Sequence, residues 1–108
     1  MRFDVQLTDH AAADLAEIVR FIRERDGDPR AAALLTRFEQ IVSDLSRFPS
    51  KGVMPRELAE LGTHEFRQVH FKPWRVVYRI EVRAVFVMLI VDGRRNLGAI
   101  LARRLLGP

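Results

Sequence analysis

The chain contains no cysteine. Disulfides, thiolate metal ligands and thiol nucleophiles are therefore excluded, and the fold must be held by its core alone. Long apolar runs are missing too. The longest, Ala84 to Val91, has eight residues, against the roughly 20 that a membrane-crossing helix needs. The six glycines are scattered. None forms a phosphate-cradling G-x-x-x-x-G-K or G-x-G-x-x-G pattern, and no serine sits in a G-x-S-x-G elbow. Among His10, His64 and His70 no two stand at helical ligand spacing, so neither a metal nor another cofactor is expected.

The remaining scarcity is local. From Arg67 onward the chain has nine Lys/Arg but only two acids, Glu81 and Asp92, a net charge of +7. The first 66 residues carry nine basic and twelve acidic residues, a net charge of −3. A small domain divided in this way should turn its cationic part toward something anionic, either nucleic acid or an acidic protein segment.

What is present suffices for one domain over residues 1–108, since 48% of the residues are apolar and that is material for one core. Residues Met1 to Asp4 run straight into an alternating pattern, so no secretory leader is expected and the reading is a cytoplasmic protein. Phe3, Val5 and Leu7 alternate with polar residues, as in a half-buried strand. Thr8 or Asp9 then caps a helix in which Leu15, Ile18, Val19 and Ile22 form the apolar stripe, ending at Asp26-Gly27. Asp28 is placed to cap a second helix, with Pro29 in its first turn. Leu34, Leu35, Phe38, Ile41, Val42 and Leu45 keep the spacing until Phe48-Pro49 stops it. The short link predicts a helical hairpin.

One or two helical turns are expected over Arg56 to Leu61. Three strands follow: Phe66–Phe71, Trp74–Val82 and Val85–Val91. In the second, Trp74, Val76, Tyr78, Ile80 and Val82 face one side, and Arg75, Val77, Arg79 and Glu81 the other. The third is apolar on both faces, which marks a strand with neighbours or cover on each side. Lys72-Pro73 and Val82-Arg83-Ala84 form the turns. Asn96 is placed to cap a short C-terminal helix with Leu97, Ile100, Leu101 and Leu105 on one face. The expected fold is α+β, in the order β-α-α-β-β-β with that short helix at the end. It is a twisted antiparallel sheet with the helical hairpin packed on one face.

One constellation carries chemistry. Arg75 and Arg79 share a side of one strand, Arg67 lies on the strand before, and Arg94-Arg95 close the strand after. Together with His70 and Lys72 they form the candidate binding set. Guanidinium groups stay charged and bind phosphate or carboxylate oxygens through paired hydrogen bonds. RNA cleavage would also need a base and an acid. The nearby candidates are His70, Lys72 and Tyr78. Tyr78 alternates with core positions, and the face of His70 is left open.

The block from His70 to Ile80, H-F-K-P-W-R-V-V-Y-R-I, resembles the RelE/ParE superfamily of bacterial type II toxins, as does the strand end Val91 to Leu97, V-D-G-R-R-N-L. Leu7-Thr8-Asp9 and the run Ala13 to Ile18 are similar to that family's entry into its first helix. The resemblance implies a growth-arresting toxin, of the kind associated with plasmid stabilisation, silenced by a cognate acidic antitoxin. It also implies one of two targets: the ribosome with its mRNA for RelE-like nucleases, or DNA gyrase for ParE-like members. No membrane partner is implied. By the same resemblance, Arg75 corresponds to the nucleases' strand arginine at the scissile phosphate and Arg95 to their second arginine, which makes these two catalytic if the chain is an RNase, with His70 as a base. The match then breaks. Asn96 to Ala102 reads N-L-G-A-I-L-A, Leu101 falls where a tyrosine is expected, and Arg67, Gln68 and His70 hold the positions of the expected basic pair. The cationic part of a nuclease site is there without its proton-transfer part. This favours ParE-like inhibition of gyrase over an mRNA endoribonuclease, with an inactive or retargeted antitoxin-binding member as a third reading.

Overall fold

The structure is a computed structural model and describes residues 2–60, 62, 65–95 and 97–106. In chain order the elements are β1 (Asp4–Leu7), α1 (Asp9–Asp26), α2 (Asp28–Arg47), a 3-10 turn (Pro49–Lys51), α3 (Arg56–Glu60), β2 (Phe66–Phe71), β3 (Trp74–Glu81), β4 (Ala84–Asp92) and α4 (Leu97–Leu101). A wider π-type turn over Ala102–Leu106 follows. The expected cap Asn96, the helix-end Leu61 and His64 lie outside the described residues, as do the side chains of Leu97, Leu101 and Leu105.

Thr8 is the cap of α1, and its hydroxyl accepts the Ala11 N–H at 3.2 Å. The cap of α2 differs from expectation. Gly27 alone links the helices, at φ 95, a left-handed conformation that glycine adopts without a Cβ penalty. Asp28 thereby becomes the first helical residue and pairs with Arg23 at 3.1 Å. The apolar stripes meet the sheet: Ala11, Val19 and Ile22 from α1, and Ala31, Leu34, Phe38 and Leu45 from α2, are buried against Phe71, Val76, Tyr78, Val85, Val87 and Ile90.

The sheet order is β1-β4-β3-β2. β2, β3 and β4 are antiparallel, as expected, but β1 runs parallel to β4, with Asp4 opposite Ala84 and Leu7 opposite Val87, so the sheet is mixed. The chain path explains it. α1 continues upward from β1 along β4, where Asp14 meets Ile90, and α2 returns so that the Ser46 carbonyl accepts the Phe3 N–H. The chain thus re-enters the sheet at the end where β1 began. After two hairpins, β4 runs the same way as β1.

β4 is apolar on both faces because it is central and covered twice. Leu58, Phe66, Val77, Leu89 and Val91 form a second cluster on the face away from the helical hairpin, with Met88 and Ile100 packed against it. β1 pairs with only Ala84 to Val87 of β4. Beyond it, the Thr8 hydroxyl donates to the Met88 carbonyl, and the Ile90 N–H donates to the Asp14 carboxylate at 3.0 Å. Arg104 completes that closure, donating to both Asp14 oxygens at 2.7 and 2.9 Å.

Two local features were not expected from the sequence. Tyr78 is core, but its hydroxyl is used: it donates to the Pro49 carbonyl at 2.6 Å and accepts the Gly52 N–H at 3.0 Å. Val82 does not extend the inward face of β3. Glu81 pairs with Ala84, so Val82 and Arg83 form a two-residue turn, and Val82 stands 95% exposed at φ 32. A β-branched residue in that region costs about 1–2 kcal/mol.

Candidate functional site: a cationic groove beside a locked arginine

The basic residues singled out in the sequence do not converge on one patch. Arg75 and His70 are cross-strand partners on the face away from the helical hairpin, as are Arg79 and Phe66. Arg67 is used for bracing: its guanidinium donates to the carbonyls of Ser50 at 3.2 Å and Gly52 at 2.8 Å. Arg79 pairs with Glu81 at 2.9 Å and reaches Glu65 at 4.0 Å, while its Nε is buried without a hydrogen-bond partner among the described residues. Arg94 is held by Asp92 through two side-chain hydrogen bonds of 2.9 and 3.1 Å. Those bonds, with the Arg94 backbone N–H, bring the Asp92 carboxyl down from 3.8 to about 2.

Arg75 is the most committed. Its guanidinium meets Glu57 at 3.2 Å, the Gln68 side-chain oxygen at 3.1 Å and the Gly93 carbonyl at 3.4 Å. Glu57 is carried by α3, which Leu58 anchors in the second core cluster. This arginine therefore ties α3 to the turn after β4. His70 is exposed. Tyr78, the other proton-transfer candidate, is buried on the opposite face, and burial raises its pKa above the ordinary 10.0. Among the described residues no group of three or more His, Cys, Asp or Glu could hold a metal ion.

A concave feature lies on the other side. A groove of about 660 Å³ runs between the helical hairpin and the Trp74–Asp92 end of the sheet. Ile18, Phe21, Leu34 and Trp74 supply apolar surface, with the Phe21 ring 53% exposed. Arg37 lies 5.0 Å from the Phe71 ring centre and donates to the Lys72 carbonyl at 3.1 Å, clamping α2 to the β2–β3 turn. Phe71 stacks in turn against Trp74, 5.5 Å between centres.

The groove's charge is unbalanced. Of its four acids, Asp14, Asp26 and Asp92 are already held by Arg104, Arg25 and Arg94, which leaves Glu17. Arg30, Lys72 and Arg95 line the same groove without a side-chain partner among the described residues. An apolar floor edged by more cations than acids suits an amphipathic acidic segment. Of the sequence candidates, Lys72, Arg94 and Arg95 belong to it. Arg67, His70, Arg75 and Arg79 do not line it. The reading from sequence missed Arg30, Arg37 and Phe21, which sit in the net-acidic half; the helical spacing of Arg30, Leu34 and Arg37 was the available signal. Arg104 turns back onto the domain, whereas Arg103 is exposed.

The family model described as "ParE toxin of type II toxin-antitoxin system, parDE" matches residues 5–97. A curated relative, toxin ParE3 of Caulobacter vibrioides, is 36% identical over 93 residues, spanning 86% of this chain and 89% of that protein. Among solved structures, the chromosomal ParDE system from P. aeruginosa superimposes with a TM-score of 0.69 at 19% identity, covering 84% of this chain and 96% of that one. The toxin–antitoxin complex RelBE2 from Mycobacterium tuberculosis does so with a TM-score of 0.57 at 23% identity, covering 85% and 99%. These two structures share the fold.

Proposed function

The chain belongs to the ParE toxin family of type II toxin–antitoxin systems, and from that premise we propose that it arrests growth in the bacterial cytoplasm by binding DNA gyrase. In the same proposal a cognate antitoxin silences it by laying an acidic, amphipathic segment in the groove between the helical hairpin and the sheet. The observation that carries the first half is the locked Arg75. A phosphate-binding arginine of a nuclease must be free to meet its substrate, and this one already has Glu57 and Gln68 as partners. No residue of the stretch Asn96 to Ala102 can transfer a proton.

The second half is supported by the groove itself. Apolar floor and unpartnered cations lie side by side there, as helix-in-groove recognition by an acidic partner requires. Neutralisation then needs no chemistry, only a tight complex.

An mRNA endoribonuclease is the second reading. One observation favours it: His70 is exposed directly across the strand pair from Arg75. The deciding experiment gives purified toxin to gyrase in a supercoiling assay and, separately, to a translation reaction carrying a labelled mRNA. Loss of supercoiling with intact mRNA is the expected result. Cleaved mRNA with normal supercoiling overturns it. Induction without any growth arrest would leave only the antitoxin-binding role.

A further inference from the structure

The end of the molecule opposite the groove is built for contact as well. The β3–β4 hairpin has Trp74 opposite Asp92 at the groove end and Glu81 opposite Ala84 at the other, about 25 Å away by the strand rise. At that far end the Arg83 carbonyl accepts the Asp4 N–H, and the Ser46 carbonyl accepts the Phe3 N–H. The hairpin tip, the start of the chain and the end of α2 are thereby gathered together.

What they expose is unusual. Val82 is 95% exposed and Phe48 64% exposed. Val82 also sits at φ 32 in the first position of a two-residue hairpin turn, where a type II′ turn carries glycine. The fold gains nothing from this choice: the side chain touches no core, and the backbone is strained. Arg2, Arg47 and Arg83, brought to the same end, have no side-chain partner among the described residues. Of the nearby acids, Glu81 pairs with Arg79 and Asp44 with Lys51, while Asp4 accepts only a neutral amide N–H from Gln6, so three cations face one unbalanced acid.

We infer that this end, which carries Val82 and Phe48 as apolar knobs and Arg2, Arg47 and Arg83 as cations, is the surface by which the toxin grips its target, and that the target surface there is an acidic protein face with apolar sockets. This rests on the toxin reading, though not on which protein the target is. A protein fits better than a nucleic acid because two exposed apolar side chains stand among the charges, whereas phosphate recognition asks for cations alone. The patch is also remote from the groove, so target and antitoxin use different residues.

The test compares the wild-type chain with Val82→Asn and Arg83→Glu. Asparagine tolerates the left-handed region, so Val82→Asn removes the knob while keeping the turn. Melting temperature, affinity for the cognate antitoxin and the inducer concentration that half-arrests growth are measured for each. Both variants should melt no lower than wild type and hold the antitoxin as tightly, yet need about tenfold more expression for the same arrest. Unchanged arrest overturns the inference. So does a parallel loss of antitoxin affinity, which would make the patch part of the antitoxin interface. Salt-sensitive binding of duplex DNA that Arg83→Glu abolishes and Val82→Asn leaves intact would overturn the protein target in favour of nucleic acid. If the wild-type chain itself fails to arrest growth, it is the toxin reading that falls, and the target surface falls with it.

Discussion

Arg75 and Glu57 form an ion pair at 3.2 Å, each side chain about a quarter exposed. The strand arginine that most invites a phosphate-binding role is a brace between α3 and the sheet. Arg75→Ala strands Glu57 and removes the bonds to Gln68 and Gly93, so it should cost about 1–3 kcal/mol in urea unfolding. A double-mutant cycle with Glu57→Gln should return a coupling of about 1 kcal/mol. If Arg75→Ala unfolds like the wild type and no longer arrests growth, the arginine is a contact residue after all.

Tyr78 gives an alkaline signature. Its folded-state pKa is raised above 10.0, first by burial, so folding favours the neutral phenol. That stabilisation is whole below the unfolded value and is lost as pH climbs through the raised one. Tyr78→Phe should flatten the alkaline limb of the stability profile. At neutral pH it should cost about 1–3 kcal/mol, because the Gly52 N–H and the Pro49 carbonyl lose their partner.

Asp92 gives the acid counterpart. Its carboxyl falls from 3.8 to about 2, chiefly through the Arg94 side-chain hydrogen bond. Its contribution is present above 3.8 and fades as pH drops toward 2. Carbon-13 NMR should find the titration midpoint near 2, and Arg94→Ala should move it back up toward 3.8. A midpoint that ignores Arg94→Ala would mean the pair does not persist in solution.

The groove separates affinity from steering. Phe21 is exposed and outside the core, so Phe21→Ala should leave folding intact while weakening the antitoxin complex by about 2 kcal/mol, roughly 30-fold in Kd. Lys72→Glu and Arg95→Glu should slow association, with the difference shrinking at high salt. Arg79→Glu, off the groove, should leave affinity unchanged. Surface plasmon resonance with the cognate antitoxin reads all of these.

Much of the fold was legible because alternation and helical spacing report burial directly. Phe66–Phe71 falls where the pattern puts a strand, and the two-sided apolar character of Ala84 to Val91 does mark a central, doubly covered one. Strand direction was not legible, since alternation is the same for parallel and antiparallel neighbours; that is why an antiparallel sheet was expected where the sheet is mixed. The site was harder. A residue count sees charges and not their partners, and the groups that neutralise Arg75 and Arg104 stand 18 and 90 positions away in the chain. The cations left over, Arg30 among them, come partly from the half that looked acidic.

The Asp14 carboxylate on the bare upper stretch of β4 also bears on how the molecule behaves alone. An open strand is a growth point, and a second copy can add to it backbone to backbone. Here the growth point is stoppered at Ile90 by a side chain that is itself held by Arg104. A newcomer would have to evict a charged pair before forming its first ladder bond there. Strand addition by a second copy is thus opposed at that stretch of the edge.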